Sequence, residues 1–383
     1  MTAAMTSRER VLCALNHREP DRVPLDLGGT HDSSIVVEGY DRLKAHFGVT
    51  APTEIMQRMT RAATVHEEVL RALGVDTRAI VIGSPRHSVA AELGPREYRD
   101  MWGVERVHPE GGYYYDQRRA PLEGKISVAD VRNHPWPDPE DPGLLEGMAE
   151  RLAWIRTHTD AAAVLTLPAP FVHLSQFIRG FQEWYTDFIL ATDVLDALFD
   201  AVLDITIRIA ERELEAFGRE VDVVRCGDDL GGQNGLQMSR EHYLRHIKPR
   251  HAKFFRRVRE LTPAKLMFHS CGSIVSILPD LVETGVQIIN PVQVTAAGMD
   301  PALLKREFGR DLVFWGGTDS QKTLPFGSEA EVRAMVRSLV DALAPGGGFV
   351  FANCHNIQPD VPLANVLAMF DEAREYTPAW RRP

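Results

Sequence analysis

The chain has 383 residues, with 43 Lys and Arg against 53 Asp and Glu and a formal net charge of −10. Binding nucleic acid requires clustered basic residues, and the short runs present here, Arg118-Arg119 and Lys253 to Arg259, read as solvated helix or loop faces, so a nucleic-acid partner is excluded. No apolar run approaches the roughly 20 residues of a membrane span, and the first ten residues lack the apolar core of a leader, which predicts a cytoplasmic protein without a membrane partner.

In chain order, residues 6–20 predict a leading helix with Ser7 as N-cap. Arg10 stands three residues on, so no capping box is expected there. Eight short β-rich apolar runs follow, at Arg22–Gly28, Ala79–Ile82, Ala163–Leu167, Val221–Cys226, Leu266–Phe268, Gln287–Asn290, Leu312–Trp315 and Phe349–Ala352. Helical patterns with apolar residues at three- and four-residue spacing lie between them, at Leu190–Phe217, Arg240–Leu261, Ser273–Thr284 and Glu329–Leu343. Pro249 and Pro279 fall inside two of these and predict a kink or break. Eight strands alternating with helices predict one α/β domain over residues 1–383, a TIM (β/α)8 barrel with an N-terminal helical extension.

Residues 86–150 interrupt the rhythm between the second and third strands. Gly111-Gly112 followed by Tyr113-Tyr114-Tyr115 predicts an extended hairpin, because aromatic runs beside a Gly pair favour strands and turns. Its tyrosines either pack the hairpin onto the barrel or, through Tyr114, line a substrate cavity.

In a barrel of this kind functional residues gather where strands end. Thr30-His31-Asp32 follows the first run, Asp228-Asp229 the fourth, and His269-Ser270-Cys271-Gly272 the fifth. Gln293 follows the sixth, Asp319 and Gln321 the seventh, and Asn353-Cys354-His355-Asn356 the eighth. On a strand, residues i and i+2 face the same side, so His269 and Cys271 can meet one ion while Cys354 reaches it from the last strand. Imidazole and thiolate are zinc ligands, and three protein ligands leave a fourth position open for catalysis. Cys13 and Cys226 lack such partners and read as core residues. One of Asp228 and Asp229 serves as a fourth ligand or holds a ligand histidine, against the alternative that both only cap a turn. His31 and His355 are candidates for proton transfer or substrate hydrogen bonding, and Asn356, Gln293 and Asp319 for substrate binding.

Several segments resemble the uroporphyrinogen decarboxylase superfamily, and within it the cobalamin-dependent methyltransferase branch. They are Asp21-Arg22-Val23-Pro24, Gly227-Asp228-Asp229-Leu230-Gly231, His269-Ser270-Cys271-Gly272, Asn290-Pro291-Val292-Gln293, Phe314-Trp315-Gly316-Gly317-Thr318-Asp319 and the run from His355 to Pro362. The resemblance implies His269, Cys271 and Cys354 as zinc ligands. It further implies methyl transfer from a small methylated substrate, in the favoured form a methoxylated aromatic compound, to a corrinoid. The chain has no Asp-x-His-x-x-Gly motif for cobalamin, so a separate corrinoid protein is the expected partner; a homodimer is compatible with the sequence. The metal-free decarboxylases of the superfamily use an Arg-rich loop near the N-terminus, whereas this chain reads Leu25-Asp26-Leu27-Gly28-Gly29 after Pro24. Methylation of a thiol from methylcobalamin, metal-free decarboxylation and non-catalytic ligand binding are the alternatives.

Overall fold

The computed structural model describes residues 4–378, so the first three residues of the leader reading and the last five of the predicted domain lie outside the described residues. Seven parallel strands lie in sequence order in one sheet: Thr77–Ile80, Ala162–Thr166, Val223–Gly227, Lys265–His269, Ile288–Asn290, Val313–Trp315 and Phe349–Val350. The expected first strand, at 22–28, is a correction. It forms a single bridge, Leu25 to Phe351, rather than a ladder. Pro24 has no N–H to donate, and the Leu25 N–H goes to the Asp76 carboxylate at 2.8 Å. The segment nevertheless joins both edges of the sheet. Asp26 N donates to Phe351 O at 2.9 Å, and Asp76 N donates to Leu25 O at 2.8 Å. Pairing on both sides leaves no free edge there, and the sheet closes as a TIM-type barrel.

Strand alternation sorts the side chains into two cores. Ala162, Val164, Val223, Met267, Ile288, Val313, Trp315, Val350 and Ala352 meet inside the barrel. Their neighbours, such as Leu165, Val224, Cys226, Phe268, Ile289, Phe314 and Phe351, pack outward on the helices. The leading helix, Ser7–Leu15, joins the inner core through Val11 and Leu15 and so plugs the barrel from below. It is shorter than expected, and it is capped by Thr6 in a capping box with Glu9, one residue before the expected Ser7. Cys226 is buried as expected, but Cys13 is half-buried.

The proline predictions coincide with real boundaries. Residues 240–261 divide into Arg240–His242, a π-helical turn at Tyr243–Ile247 and a helix at Lys248–Leu261 with Pro249 in its first turn. Pro279 likewise sits in the first turn of Leu278–Glu283. Pro249 follows the π-helical turn and Pro279 follows a 3-10 turn at Val275–Ile277, so the donor that each lacks falls where the hydrogen-bond pattern changes. The insertion is more than a hairpin. Its four antiparallel strands, Ala91–Gly94, Glu97–Arg99, Glu105–Val107 and Asp116–Arg119, pair in sequence order, and Tyr113–Tyr115 precede the last of them. Cross-strand ion pairs such as Arg99–Glu105, 2.8 Å, suit an exposed sheet. No helix among the described residues is long and apolar enough to cross a membrane.

Candidate metal centre and its cavity

The inward rows of the barrel change character toward the C-terminal ends of the strands. Above Val164, Val223, Met267 and Ile288 stand Thr166, Arg225, His269 and Asn290, each two residues further on. His269 is level with Asn290 on one neighbouring strand and with Gly227 on the other. A Cβ at Gly227 would lie 2.6 Å from His269 Cβ, so glycine there leaves room for the imidazole.

Asn290 fixes the state of that imidazole. Its Nδ2 donates to Trp315 O at 3.1 Å, so its Oδ1 is the acceptor that lies 2.6 Å from His269 Nδ1. His269 therefore carries its proton on Nδ1, and the Nε2 lone pair points at Cys271, whose Sγ is 3.6 Å away. The same logic applies to His355. Asn356 Nδ2 donates to His31 O, so Asn356 Oδ1 accepts the Tyr114 hydroxyl proton at 3.0 Å. Gln358 Nε2 donates to Tyr114 Oη at 2.5 Å, and the second lone pair of that oxygen accepts from His355 Nδ1, 3.3 Å away, which leaves Nε2 as the free nitrogen of the ring.

His269, Cys271 and His355 each offer a ligand atom within 4.8 Å of the others. Of the expected trio, His269 and Cys271 are in this group; Cys354 is buried beside it, with its thiol toward Ser320 and close enough to act on the Cys271 thiol, and His355 is the third member of the group. Burial pushes the Cys271 thiol well above its ordinary range, with Asp229 and Cys354 adding to the effect. Burial also pushes the Cys354 thiol up, to about 12. The donors fit a zinc ion. Two imidazoles in the ligand tautomer and a thiol match its preferred chemistry, and a bound cation would offset the thiol's burial.

The loop bearing Cys271 is braced on three sides. Cys271 N donates to Asp229 Oδ1 at 2.9 Å, and Gly272 N donates to Gln293 Oε1 at 2.7 Å. Gly272 itself, at φ +84°, packs so closely on Gly231 that a Cβ would lie 2.4 Å from its carbonyl carbon. Only glycine tolerates both conditions.

Beside this cluster lies a cavity of about 440 Å³, lined mostly by apolar groups and reached by His31, Asp32, Asp229, His269 and His355. The insertion roofs it with Tyr98, Asp100, Met101, Trp102 and Arg106. Asp32 forms a buried ion pair with Arg225 and lies 3.4 Å from His269 Nδ1. Burial raises the Asp32 pKa, but Arg225, His269 and His31 outweigh it and hold the carboxyl well below its usual range. Burial lowers His31 to about 3, and it also lowers His355, so both rings are neutral near pH 7. Asp229 is raised by burial but lowered further by His173, His269 and the Cys271 N–H, leaving it below its usual range.

Of the expected site residues, His31, Asp229, His269 and His355 line the cavity. Asp228 faces away from it. Its carboxylate accepts from Phe171 N, His173 N and His251 Nε2 and orders the loop that carries His173. Asp319 is likewise spent on its own loop, accepting from the N–H groups of Gln321, Lys322 and Thr323 and from the Thr323 hydroxyl. Gln293, Asn356 and Tyr114 lie outside the lining and brace the residues around it. Sequence reasoning missed Asn290, Arg225, His173 and Arg106. An Arg inside the apolar run Val223-Val224-Arg225-Cys226 was a usable signal, because a buried charge needs a partner.

Known proteins extend this picture. The family model described as uroporphyrinogen decarboxylase (URO-D) matches residues 115–376. A uroporphyrinogen decarboxylase of Methylococcus capsulatus is 25% identical over 295 residues, covering 73% of this chain and 76% of that protein. Among solved structures, a methyltransferase from Methanosarcina mazei superposes with a TM-score of 0.64 at 19% identity, covering 97% of this chain and 99% of that one.

Proposed function

The chain belongs to the uroporphyrinogen decarboxylase family, and on that premise we propose that it is a zinc-dependent methyltransferase. In this reading it moves a methyl group from a small methoxylated compound, aromatic in its favoured form, to the cobalt of a separate corrinoid protein. The observation that carries the reading is the convergence of His269, Cys271 and His355 on one point, with both imidazoles held in the ligand tautomer, at the edge of an apolar cavity. The likeness of fold to an archaeal methyltransferase supports it.

The metal donors are His269, Cys271 and a third from the adjacent pair Cys354 and His355. A zinc ion there supplies Lewis acidity toward an ether oxygen, and the partner's reduced cobalt supplies the nucleophile. The chain's own residues do the positioning. Asn290 keeps the proton on His269 Nδ1, and Tyr114 keeps it on His355 Nδ1. Asp229 holds the Cys271 loop by its backbone N–H. His31, neutral at the cavity wall, serves as a hydrogen-bonding group rather than an acid. Leu167, Leu174 and Phe177 exclude water beside the reacting oxygen.

The relative named for decarboxylation raises a second reading, metal-free loss of carboxylate from a porphyrinogen. The cavity speaks against it. A tetrapyrrole bearing many carboxylates needs several free cations, whereas the lining holds three arginines, of which Arg225 is paired with Asp32, Arg58 with Glu92, and Arg106 with Asp100 through its Nε alone.

The test combines zinc-loaded protein, a reduced corrinoid protein and a panel of methoxylated aromatic compounds, read by the absorbance of methylcobalamin. Methylcobalamin formation from at least one donor, lost with the metal, is the expected result. No methylcobalamin from any donor sinks the reading. In that case, turnover of methylcobalamin with a thiol points to the reverse transfer, and turnover of a porphyrinogen restores the decarboxylase.

A further inference from the structure

Arg106 belongs to the inserted antiparallel sheet, yet it is only 5% exposed and reaches the cavity. Its Nε donates to Asp100 Oδ2 at 3.1 Å, and its guanidinium lies over the Phe177 ring at 4.2 Å. Its Nη1, fully buried, has no hydrogen-bond partner among the described residues. An unpaired buried donor costs about 1–3 kcal/mol, and more when charged. Native proteins leave few such groups, and those that line cavities are completed by what binds there.

Asp100 pairs with Arg106 through the Nε alone. Asp100 Oδ1 accepts from Trp102 N and Val104 N, each at 3.0 Å, so only Oδ2 faces the guanidinium. Burial raises the Asp100 pKa, with Arg106 opposing it. Two further polar atoms on the same cavity wall, Thr166 Oγ1 and His173 Nδ1, have no partner among the described residues. Met101, Trp102, Leu174 and Phe177 line the same cavity. A guanidinium edge matches a carboxylate in plane and charge, and flat apolar walls match an aromatic ring.

We propose that the substrate is a methoxylated aromatic carboxylate whose acid group is taken by Arg106, so that the insertion selects the donor. This rests on the methyltransferase reading for the methoxy group, but the acid-binding claim can be measured without any methyl transfer.

The experiment measures binding to the full-length protein by calorimetry, with 4-methoxybenzoate against the neutral isosteres 4-methoxybenzamide and 4-methoxybenzyl alcohol. The acid is expected to bind about 10-fold or more tightly than either isostere, as a charge-assisted pair in a dry site implies. In Arg106→Met that preference disappears while amide binding changes less than about twofold; Arg106→Lys restores part of it. Equal binding of acid and amide to the unmodified protein overturns the proposal, and that comparison needs no variant to fold. An acid preference that survives Arg106→Met overturns the assignment to Arg106. If the acid binds but no donor is ever demethylated, the methyltransferase reading fails and the acid site stands. If neutral donors are demethylated and no acid preference is found, the reverse holds.

Discussion

Tyr114 Oη lies 3.3 Å from His355 Nδ1, so a side chain of the insertion sets the proton position of a ring at the end of the last barrel strand. The arrangement is a relay of fixed amides. Asn356 is oriented by His31 O, Tyr114 by Asn356, and His355 by Tyr114. Metal-binding histidines commonly depend on such outer partners, and losing one lowers metal affinity about 10–100-fold. Tyr114→Phe is therefore expected to weaken zinc binding by about 10-fold while leaving the fold intact, as read by competition with a chromogenic chelator. Unchanged affinity removes His355 from the ligand set and turns attention to Cys354.

The metal ligands themselves separate by variant. His269→Ala and Cys271→Ala are expected to abolish stoichiometric zinc in purified protein. Of Cys354→Ala and His355→Ala, the variant that loses the metal identifies the third donor, and His355→Ala is the one expected to lose it. Elemental analysis of the four proteins decides. Full zinc in all four would end the metal reading.

Asn290 carries two burdens, orienting His269 and satisfying Trp315 O. In Asn290→Leu both partners are left buried and unpaired, a cost of about 1–3 kcal/mol each at most. Denaturant unfolding should show that loss, together with weaker zinc binding. Stability loss with unchanged zinc affinity would make Asn290 a purely structural residue.

Asp319 contrasts with it. With four hydrogen bonds spent on the turn that follows, Asp319→Ala is expected to cost about 1–2 kcal/mol of stability and to leave zinc content and ligand binding unchanged. A large loss of ligand affinity at unchanged stability would return it to the substrate site.

Glu213 gives a pH signature independent of the site. It is fully buried, and neither carboxylate oxygen has a hydrogen-bond partner among the described residues. Burial raises its pKa well above the usual 4.5, with Arg212 opposing weakly. The folded state thus holds this proton more tightly than the unfolded state. Its contribution is most favourable below pH 4.5 and declines as pH rises from there through the folded pKa. Glu213→Met is expected to gain about 1–3 kcal/mol near pH 7, with the gain shrinking toward pH 5, as measured by unfolding of metal-free protein at several pH values. A pH-independent difference between the two proteins sinks the assignment.

The barrel and half of the site were legible in the sequence because both follow from strand alternation. His269 and Cys271 share a face and end a strand, which local spacing reveals. The tie between Asp228 and Asp229 did not break at that level. Register separates the two in space, since inward Gly227 turns Asp228 outward and brings Asp229 to the cavity. Asn290 was hidden for the same reason, as its meeting with His269 is a property of two paired strands. Arg106 sits among charged residues whose alternation reads as a solvated sheet, and nothing local shows that one of them turns under the roof. The short Pro24–Asp26 closure was read as a full strand because its apolar residues fit one; the donor missing at Pro24 and the Leu25 N–H taken by Asp76 decide otherwise.

The helix that stoppers the barrel with Val11 and Leu15 has a kinetic consequence. With the barrel interior filled and this end covered, a donor and a carrier protein would, on the proposed reaction, share one doorway. On the proposed reaction the small molecule has to be seated before the large one docks, and the demethylated product stays trapped until the carrier leaves. Turnover should then follow an ordered sequence, with excess carrier slowing the reaction by blocking the exit.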